Sequence, residues 1–291
     1  MLEYEFLRAN NTDDAVQKLD NHNKVKVIAG GTDILVEMHK EDIDNDELDY
    51  LLDISNVNEF EFIRENEKNV EIGPLISHSE LANNRLINKY YSVLAQAALT
   101  IGSTQIRNRG TIAGNIVNAS PAADLLSPLI ALNAKVLLKS INGERELSIP
   151  EFITGPYSTD LKENELLTKI IIPKSNDKYY SIFKKVKRRK AVDIARLNMA
   201  IVTKINNNKF EDIRIVPGSA TPSPQAFSEI ENLLEGKNIN QLDYDYYKEK
   251  IAEEMVAITG ERWSTPYKKP AIGSLLKKSL TGIVKEVGNN A

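Results

Sequence analysis

The chain has 291 residues, 42 % hydrophobic and 27 % charged, with a formal net charge of −4; this is an ordinary soluble composition, the length suits about two domains, and the charge does not favour nucleic acid or an anionic membrane as the main partner. It contains no cysteine, which excludes a disulfide framework, a thiolate zinc site, a cysteine nucleophile and an iron–sulfur cluster held by this chain alone. His22, His39 and His78 have no ligand-like spacing, the N-terminus lacks a signal-peptide pattern and no apolar run is long enough to cross a bilayer, so the expectation is a cytoplasmic protein with no metal site and no membrane contact.

The alternation over Tyr4–Arg8 predicts a short strand. Thr12 is the candidate N-cap of a helix over 13–21, with Asp13 and Asp14 at the positive end of its dipole. Residues 24–28 are β-rich and run into A29-G-G-T-D33; 34–40 suit one or two helical turns and 50–54 a buried strand. Strands at 60–64 and 70–72 flank N66-E-K-N69 as a hairpin. Helical patterning covers 79–83 and 92–100. A long glycine- and asparagine-rich loop is expected over 102–118, and Ser120 with Pro121 is expected to open a helix running to about Leu132. Strands follow at 135–139, 144–148 and 166–172, and the polar stretch 173–178 is the expected domain boundary. Beyond it come strands at 179–187, 197–205 and 210–219, with N206-N-N-K209 as a hairpin turn, then helices at 224–234, 244–259 and 271–287. Successive strands followed by successive helices predict an antiparallel α+β unit.

Two glycine stretches about 80 residues apart carry the chemistry, V27-I-A-G-G-T-D-I34 and T111-I-A-G-N-I-V-N-A-S-P-A-A-D124. Glycines let a turn take positive φ and approach a ligand closely, and successive amide N–H groups there form an anion-binding concavity. Thr32 can donate a hydroxyl and Asp33 can cap the following helix. On form alone, a tight strand-to-helix turn with no ligand is the more common origin of such a short stretch. It has neither the G-x-G-x-x-G nor the G-x-x-x-x-G-K-[ST] pattern, so Rossmann and P-loop readings lack their signature. The second stretch sets Gly110, Thr111, Gly114, Asn115, Asn118, Ser120 and Asp124 among apolar anchors, a density of hydrogen-bonding groups that a purely structural loop rarely needs. If both stretches converge, they can hold one long phosphate-bearing molecule.

These stretches, the second read from I101-G-S-T-Q-I-R-N-R-G110 onward, resemble the two FAD-binding signatures of the flavoprotein subunits of molybdenum hydroxylases, the family of the medium subunits of xanthine, nicotinate and aerobic carbon monoxide dehydrogenases. The resemblance covers about residues 2–287. It implies a p-cresol methylhydroxylase-type FAD-binding domain over 1–175, in two α/β subdomains divided near 55, followed by a smaller α+β domain over 176–291 with a three-stranded antiparallel sheet and helices. Val27, Ile28, Ala29, Gly30, Gly31, Thr32, Asp33 and Ile34 match the first diphosphate-binding turn. Thr111, Gly114 and Asn115 match the second, where Ala113 replaces the first glycine of the family's T-I-G-G-N. Ile101 matches an apolar position beside the cofactor, Asp124 an acidic contact, Leu167 a backbone or apolar contact and Lys184 a cofactor-contacting lysine.

The resemblance further implies a large molybdenum–pterin subunit that hydroxylates xanthine or a similar N-heterocycle, a small subunit with 2Fe-2S clusters, a dimer of heterotrimers, and transfer from FAD to NAD⁺ or another acceptor. No catalytic residue is expected on this chain. Two alternatives remain: a stand-alone FAD-dependent oxidoreductase with its own substrate site, and a nucleotide-binding regulatory or assembly module with no redox role. In the basic run K184-K-V-K-R-R-K190 only Lys184 is singled out; the rest read as a solvated strand edge, or face a partner or an anionic nicotinamide cofactor. His39 and His78 read as surface or helix-end residues rather than flavin attachment points, and Trp263 and Tyr267 as packing for the C-terminal helices.

Overall fold

In the computed structural model, residues 4–40, 48–187 and 194–289 are described. Strand β1 (Glu5–Arg8), helix α1 (Thr12–Asn21), strand β2 (Val25–Ile28), helix α2 (Ile34–His39) and strand β3 (Tyr50–Asp53) alternate along the chain, and the strands lie parallel in the order β1-β3-β2. Parallel neighbours need crossovers, which α1 and the α2 segment supply. Helix α1 buries Ala15, Val16 and Leu19 against Leu52 and Ile54 in a small N-terminal core. Its cap is Asn11, not Thr12: the Asn11 carboxamide oxygen accepts the Asp14 N–H at 2.8 Å, and the Thr12 hydroxyl binds Glu59 instead.

A second sheet follows. Strands β4 (Ile63–Glu65) and β5 (Asn69–Ile72) form the expected hairpin, and six helices come next: α3 (His78–Asn83), α4 (Arg85–Tyr90), α5 (Ser92–Leu99), α6 (Thr104–Arg109), α7 (Ile112–Asn118) and α8 (Leu126–Ala131). Strands β6 (Lys135–Ser140) and β7 (Gly143–Ser148), the short helix α9 (Ile149–Phe152), the hairpin of β8 (Ile153–Gly155) and β9 (Ser158–Thr159), and strand β10 (Leu166–Pro173) complete the unit. The antiparallel sheet runs β4-β5-β10-β6-β7, and its core packs Val70, Ile72, Val136 and Ile170 against Leu81, Leu94, Ile112 and Leu126 of the helices.

Two expectations fail here. The 102–118 segment is not a loop but α6 and α7, capped by the Ser103 and Thr111 hydroxyls, which accept from Ile106 N–H and Gly114 N–H at 3.3 and 3.1 Å. Ser120 opens no helix: its hydroxyl accepts the Ala122 N–H in a local turn, and α8 begins only at Leu126.

The third sheet is the antiparallel meander β11 (Tyr179–Val186), β12 (Leu197–Asn206) and β13 (Lys209–Gly218). Asn207 and Asn208 both take positive φ (49° and 58°), as a two-residue hairpin turn with right-handed twist requires. Period-two alternation divides β12 between two cores: Leu197, Met199 and Ile201 face the C-terminal helices, while Ala200 and Val202 join the main core. The helices are α10 (Ser228–Leu234), α11 (Tyr244–Thr259) and α12 (Thr265–Asn289); α12 starts ahead of the expected Ala271 and carries Pro270 within it. Trp263 is 89 % exposed and Tyr267 also lies at the surface, so neither packs these helices as expected. Of the basic run, residues 188–190 lie outside the described residues. Among the described residues no helix is long and apolar enough to cross a membrane.

Strand β13 is an edge strand, and α10 closes that edge. Glu235 accepts from the N–H groups of Asp212 (3.0 Å) and Ile213 (3.4 Å), and Glu231 accepts from Ile215 N–H at 2.6 Å. Burial pushes the Glu231 carboxyl up from 4.5 to about 7; the Ile215 N–H opposes the shift and Glu254 adds to it. An acid raised on folding stabilises the fold fully below its unfolded value of 4.5, and that contribution is lost as pH rises through about 7. Glu231→Gln is therefore expected to raise the Tm at pH 8 and to flatten its decline between about pH 5 and 8. Superimposable Tm–pH profiles for variant and wild type would exclude this role.

Candidate cofactor site

Strand β2 delivers the chain into the first glycine stretch. Gly31 has φ +74°, a conformation that L side chains rarely adopt. At Gly30 an added Cβ would lie 2.0 Å from the Arg109 carbonyl oxygen and 3.0 Å from Gly110 Cα. The two stretches therefore meet backbone to backbone. Residues 76–78 bind the junction from the other side: His78 N–H donates to Gly110 O at 3.0 Å, Ile112 N–H to Ile76 O at 2.9 Å, and Ser77 bridges Thr111. The His78 ring lies against Gly110, where a Cβ would come within 3.0 Å of Nε2.

His78 is thus a helix-end residue, as expected, but not a surface one. Burial, helped by Arg107, pushes its pKa down to about 4, so the ring is neutral at physiological pH; its buried Nδ1 has no hydrogen-bond partner.

Within the first stretch, Val27 and Ala29 pack on the N-terminal core and Ile28 O accepts from Ile54 N–H at 3.0 Å. Among the described residues none accepts from the N–H groups of Gly30, Gly31, Thr32 or Asp33. Asp33 occupies the cap position of α2 but makes no capping bond, contrary to expectation, and desolvation pushes its carboxyl above the ordinary carboxylate range.

In the second stretch Thr111 spends its hydroxyl on Gly114 N–H and its carbonyl on Asn115 N–H at 3.1 Å each. The Asn115 Oδ1 is buried without a partner. Ala113 lies inside α7 with ordinary helical backbone and its methyl in the main core, so replacing a glycine there brings no strain.

The remaining expected residues are placed unequally. Ile101 is half-buried beside the main core, its carbonyl held by Arg107 at 2.9 Å. Leu167 is buried in that core opposite Leu138. Lys184 is exposed and shares the Ile182 face of β11, whereas Phe183 and Lys185 take the opposite face. Lys185, which the sequence reading did not single out, is buried: its Nζ lies 2.5 Å from Asp124 Oδ2 and 3.2 Å from Thr100 O. Asp124 Oδ1 also accepts from Asn198 Nδ2 at 3.2 Å. Burial pushes the Asp124 carboxyl above its ordinary range, and Lys185 opposes the shift. Alternation along β11 is the signal that separates the two lysines.

Small residues, open backbone amides and an apolar flank at Ile101, in place of a lysine cluster, mark an α+β protein built to bind a nucleotide cofactor. The family described as "FAD binding domain in molybdopterin dehydrogenase" matches residues 2–175, and "CO dehydrogenase flavoprotein C-terminal domain" matches 181–283. The chain belongs to the FAD-binding medium subunits of the molybdenum hydroxylase family, and is the flavin subunit of an oxidoreductase. It is 31 % identical over 277 residues to the glyceraldehyde dehydrogenase medium chain of Sulfolobus acidocaldarius (95 % of this chain, 97 % of that one) and 28 % identical over 285 residues to the xanthine dehydrogenase FAD-binding subunit of Escherichia coli O157:H7 (97 % of each). A chain of carbon monoxide dehydrogenase from Hydrogenophaga pseudoflava superposes with a TM-score of 0.88 at 27 % identity, over 97 % of this chain and 98 % of that one.

The contact at Gly30 gives a direct test. Gly30→Ala is expected to lower stability by about 1–3 kcal/mol, the range for forced overpacking, read as a lower urea midpoint at unchanged m. A wild-type midpoint would show that the two stretches do not meet as closely as described.

Proposed function

We propose that the two stretches grip the diphosphate of one FAD, with Val27–Ile34 as the first turn, Thr111, Gly114 and Asn115 as the second, and Ile101, Asp124 and Leu167 around the remainder of the cofactor; Lys184, on the face of β11 opposite the one that meets Asp124, would reach it only around the strand edge. The observation that carries this reading is the backbone contact at Gly30, which joins the second stretch to a turn whose N–H groups at Gly30, Gly31, Thr32 and Asp33 have no acceptor among the described residues. Open amides suit a diphosphate, and the unpartnered Asn115 oxygen suits a hydroxyl or amide donor on the cofactor. When bound, FAD accepts electrons singly and passes them on in pairs. The chain's own residues bind and orient it, and none is assigned as a general acid, base or nucleophile.

In this reading residues 1–175 are the flavin-binding domain, in two subdomains divided near 55, and 176–291 the second domain. A small partner carries the 2Fe-2S clusters, as the absence of cysteine here requires if clusters supply the electrons. A large partner carries the molybdenum–pterin centre and hydroxylates xanthine or a similar N-heterocycle, and NAD⁺ or another acceptor takes the electrons from FAD. The assembly is a cytoplasmic dimer of heterotrimers. The likeness to medium chains over nearly their whole length supports the subunit role.

Native mass spectrometry of the gently purified complex is expected to find FAD, a large molybdenum-binding chain and a small iron–sulfur chain. Homo-oligomers without cofactor would end this reading, and a lone chain that turns over an organic substrate would establish a stand-alone oxidoreductase instead. Gly31→Val places a β-branched side chain at φ +74° and 3.0 Å from Leu35 Cδ1, and is expected to abolish FAD retention with little change in far-UV circular dichroism. Normal FAD content in that variant would remove the first turn from the site.

A further inference from the structure

A buried polar cluster beside the site joins β11, β12, β13, α8 and the end of α5 to the turn that carries Asp124. Lys185 on β11 holds Asp124 Oδ2 at 2.5 Å and the Thr100 carbonyl, at the end of α5, at 3.2 Å. Asn198 on β12 donates Nδ2–H to Asp124 Oδ1 at 3.2 Å. Ser127 on α8 donates to Asn198 Oδ1 at 2.7 Å, and this bond turns the amide so that its nitrogen faces the carboxylate. Asn198 and Ser127 are wholly buried, and the Lys185 side chain is 3 % exposed. Gly218 on β13 pairs with Asn198 in the ladder; a Cβ there would lie 2.2 Å from Asn198 Oδ1 and 2.5 Å from Ser127 Oγ, so the cluster needs a glycine opposite it.

Both groups that Lys185 grips belong to, or adjoin, assigned cofactor contacts. Asp124 is one. Thr100 immediately precedes Ile101, which leads into Gly102 at φ +44°. Each carboxylate oxygen of Asp124 keeps a second lone pair, so the clamp leaves acceptor capacity for a ligand. The ammonium also neutralises a buried carboxylate that would otherwise repel a diphosphate.

We propose that Lys185, oriented together with Asn198 and Ser127, is a positioning residue of the FAD site, through which the third sheet sets the geometry of Asp124 and of the Thr100–Ile101 turn. The site is therefore completed by residues beyond 176 and is not assembled by the N-terminal part alone. This rests on the reading of Asp124 and Ile101 as cofactor contacts.

The test uses the full-length chain, with the FAD Kd measured by flavin fluorescence, the visible absorbance of the bound flavin, and urea unfolding of the FAD-free protein. Lys185→Met is expected to raise the Kd about tenfold or more and to alter the visible band under conditions where the protein is folded. Asp124→Asn/Lys185→Met, which removes both charges, should bind no more weakly than Lys185→Met alone, because the two effects are coupled. Gly218→Ala should raise the Kd with every charge intact. If Lys185→Met fails to fold, the double variant and Gly218→Ala decide. Wild-type Kd and absorbance in these variants, or additive losses in the double variant, overturn the proposal. If Gly31→Val alone loses FAD, the site stands and the clamp falls; if Gly31→Val also retains it, the reading of the site falls.

Discussion

At Gly30 two segments distant in sequence touch through their main chains, with no room for even a methyl group between them. The surrounding choices follow from that contact. Gly110 must be small because the His78 ring lies on its other side, and His78 tolerates burial because its ring is neutral. Thr111 must cap α7 at once, since the chain leaves the contact directly into that helix. Gly31 must take a left-handed conformation to turn the chain away into α2. A side chain at Gly30 would separate the two stretches and leave each as an ordinary turn.

The ion pairs differ widely in burial. Ion pairs such as Lys248–Asp245 and Lys250–Glu253 lie on exposed helix faces, where solvent screens them and they add little to stability. Lys185–Asp124 is buried on both sides, and removing one partner from such a pair costs about 3–5 kcal/mol because the other charge is left uncompensated. Arg214, whose Nη1 donates to the Ala131 carbonyl at 2.7 Å, ties β13 to the end of α8 a short distance along the seam. The third sheet is thus fastened to the main core by specific polar contacts as well as by Phe183, Ala200, Val202 and Val216.

Local pattern made much of this fold legible. The meander of the third sheet could be read from alternation and from Asn207–Asn208, because both signals are short-range. The small parallel sheet gave up its strands but not their order, since crossovers leave no local trace of pairing. Helices α6 and α7 were hidden because Ser103, Gly110 and Thr111, which cap and separate them, have the composition of a loop. The glycine stretches were visible, but their contact was not. Lys185 was obscured by the basic run around it, and only the strand period distinguishes its face from that of Lys184. Asn198 offered a subtler cue: a carboxamide inside L197-N-M-A-I-V202 implies a buried polar partner, although its identity comes only from the fold.

The two glycine stretches rest on different foundations. The first leans on the small N-terminal core through Val27 and Ala29, and the second on the main core through Ile112, Ala113 and Ile116. A ligand held by both is mortar between two separately packed layers, and its affinity is spent partly on keeping them together. At a free concentration one hundred times its Kd, such a ligand adds about 2.7 kcal/mol to the assembled state. The N-terminal layer, with three short strands and its own small core, has the fewest contacts of its own to replace that grip. Cofactor supply would then govern the lifetime of the chain as well as its redox capacity, and empty protein would loosen first at the layer built on the small parallel sheet.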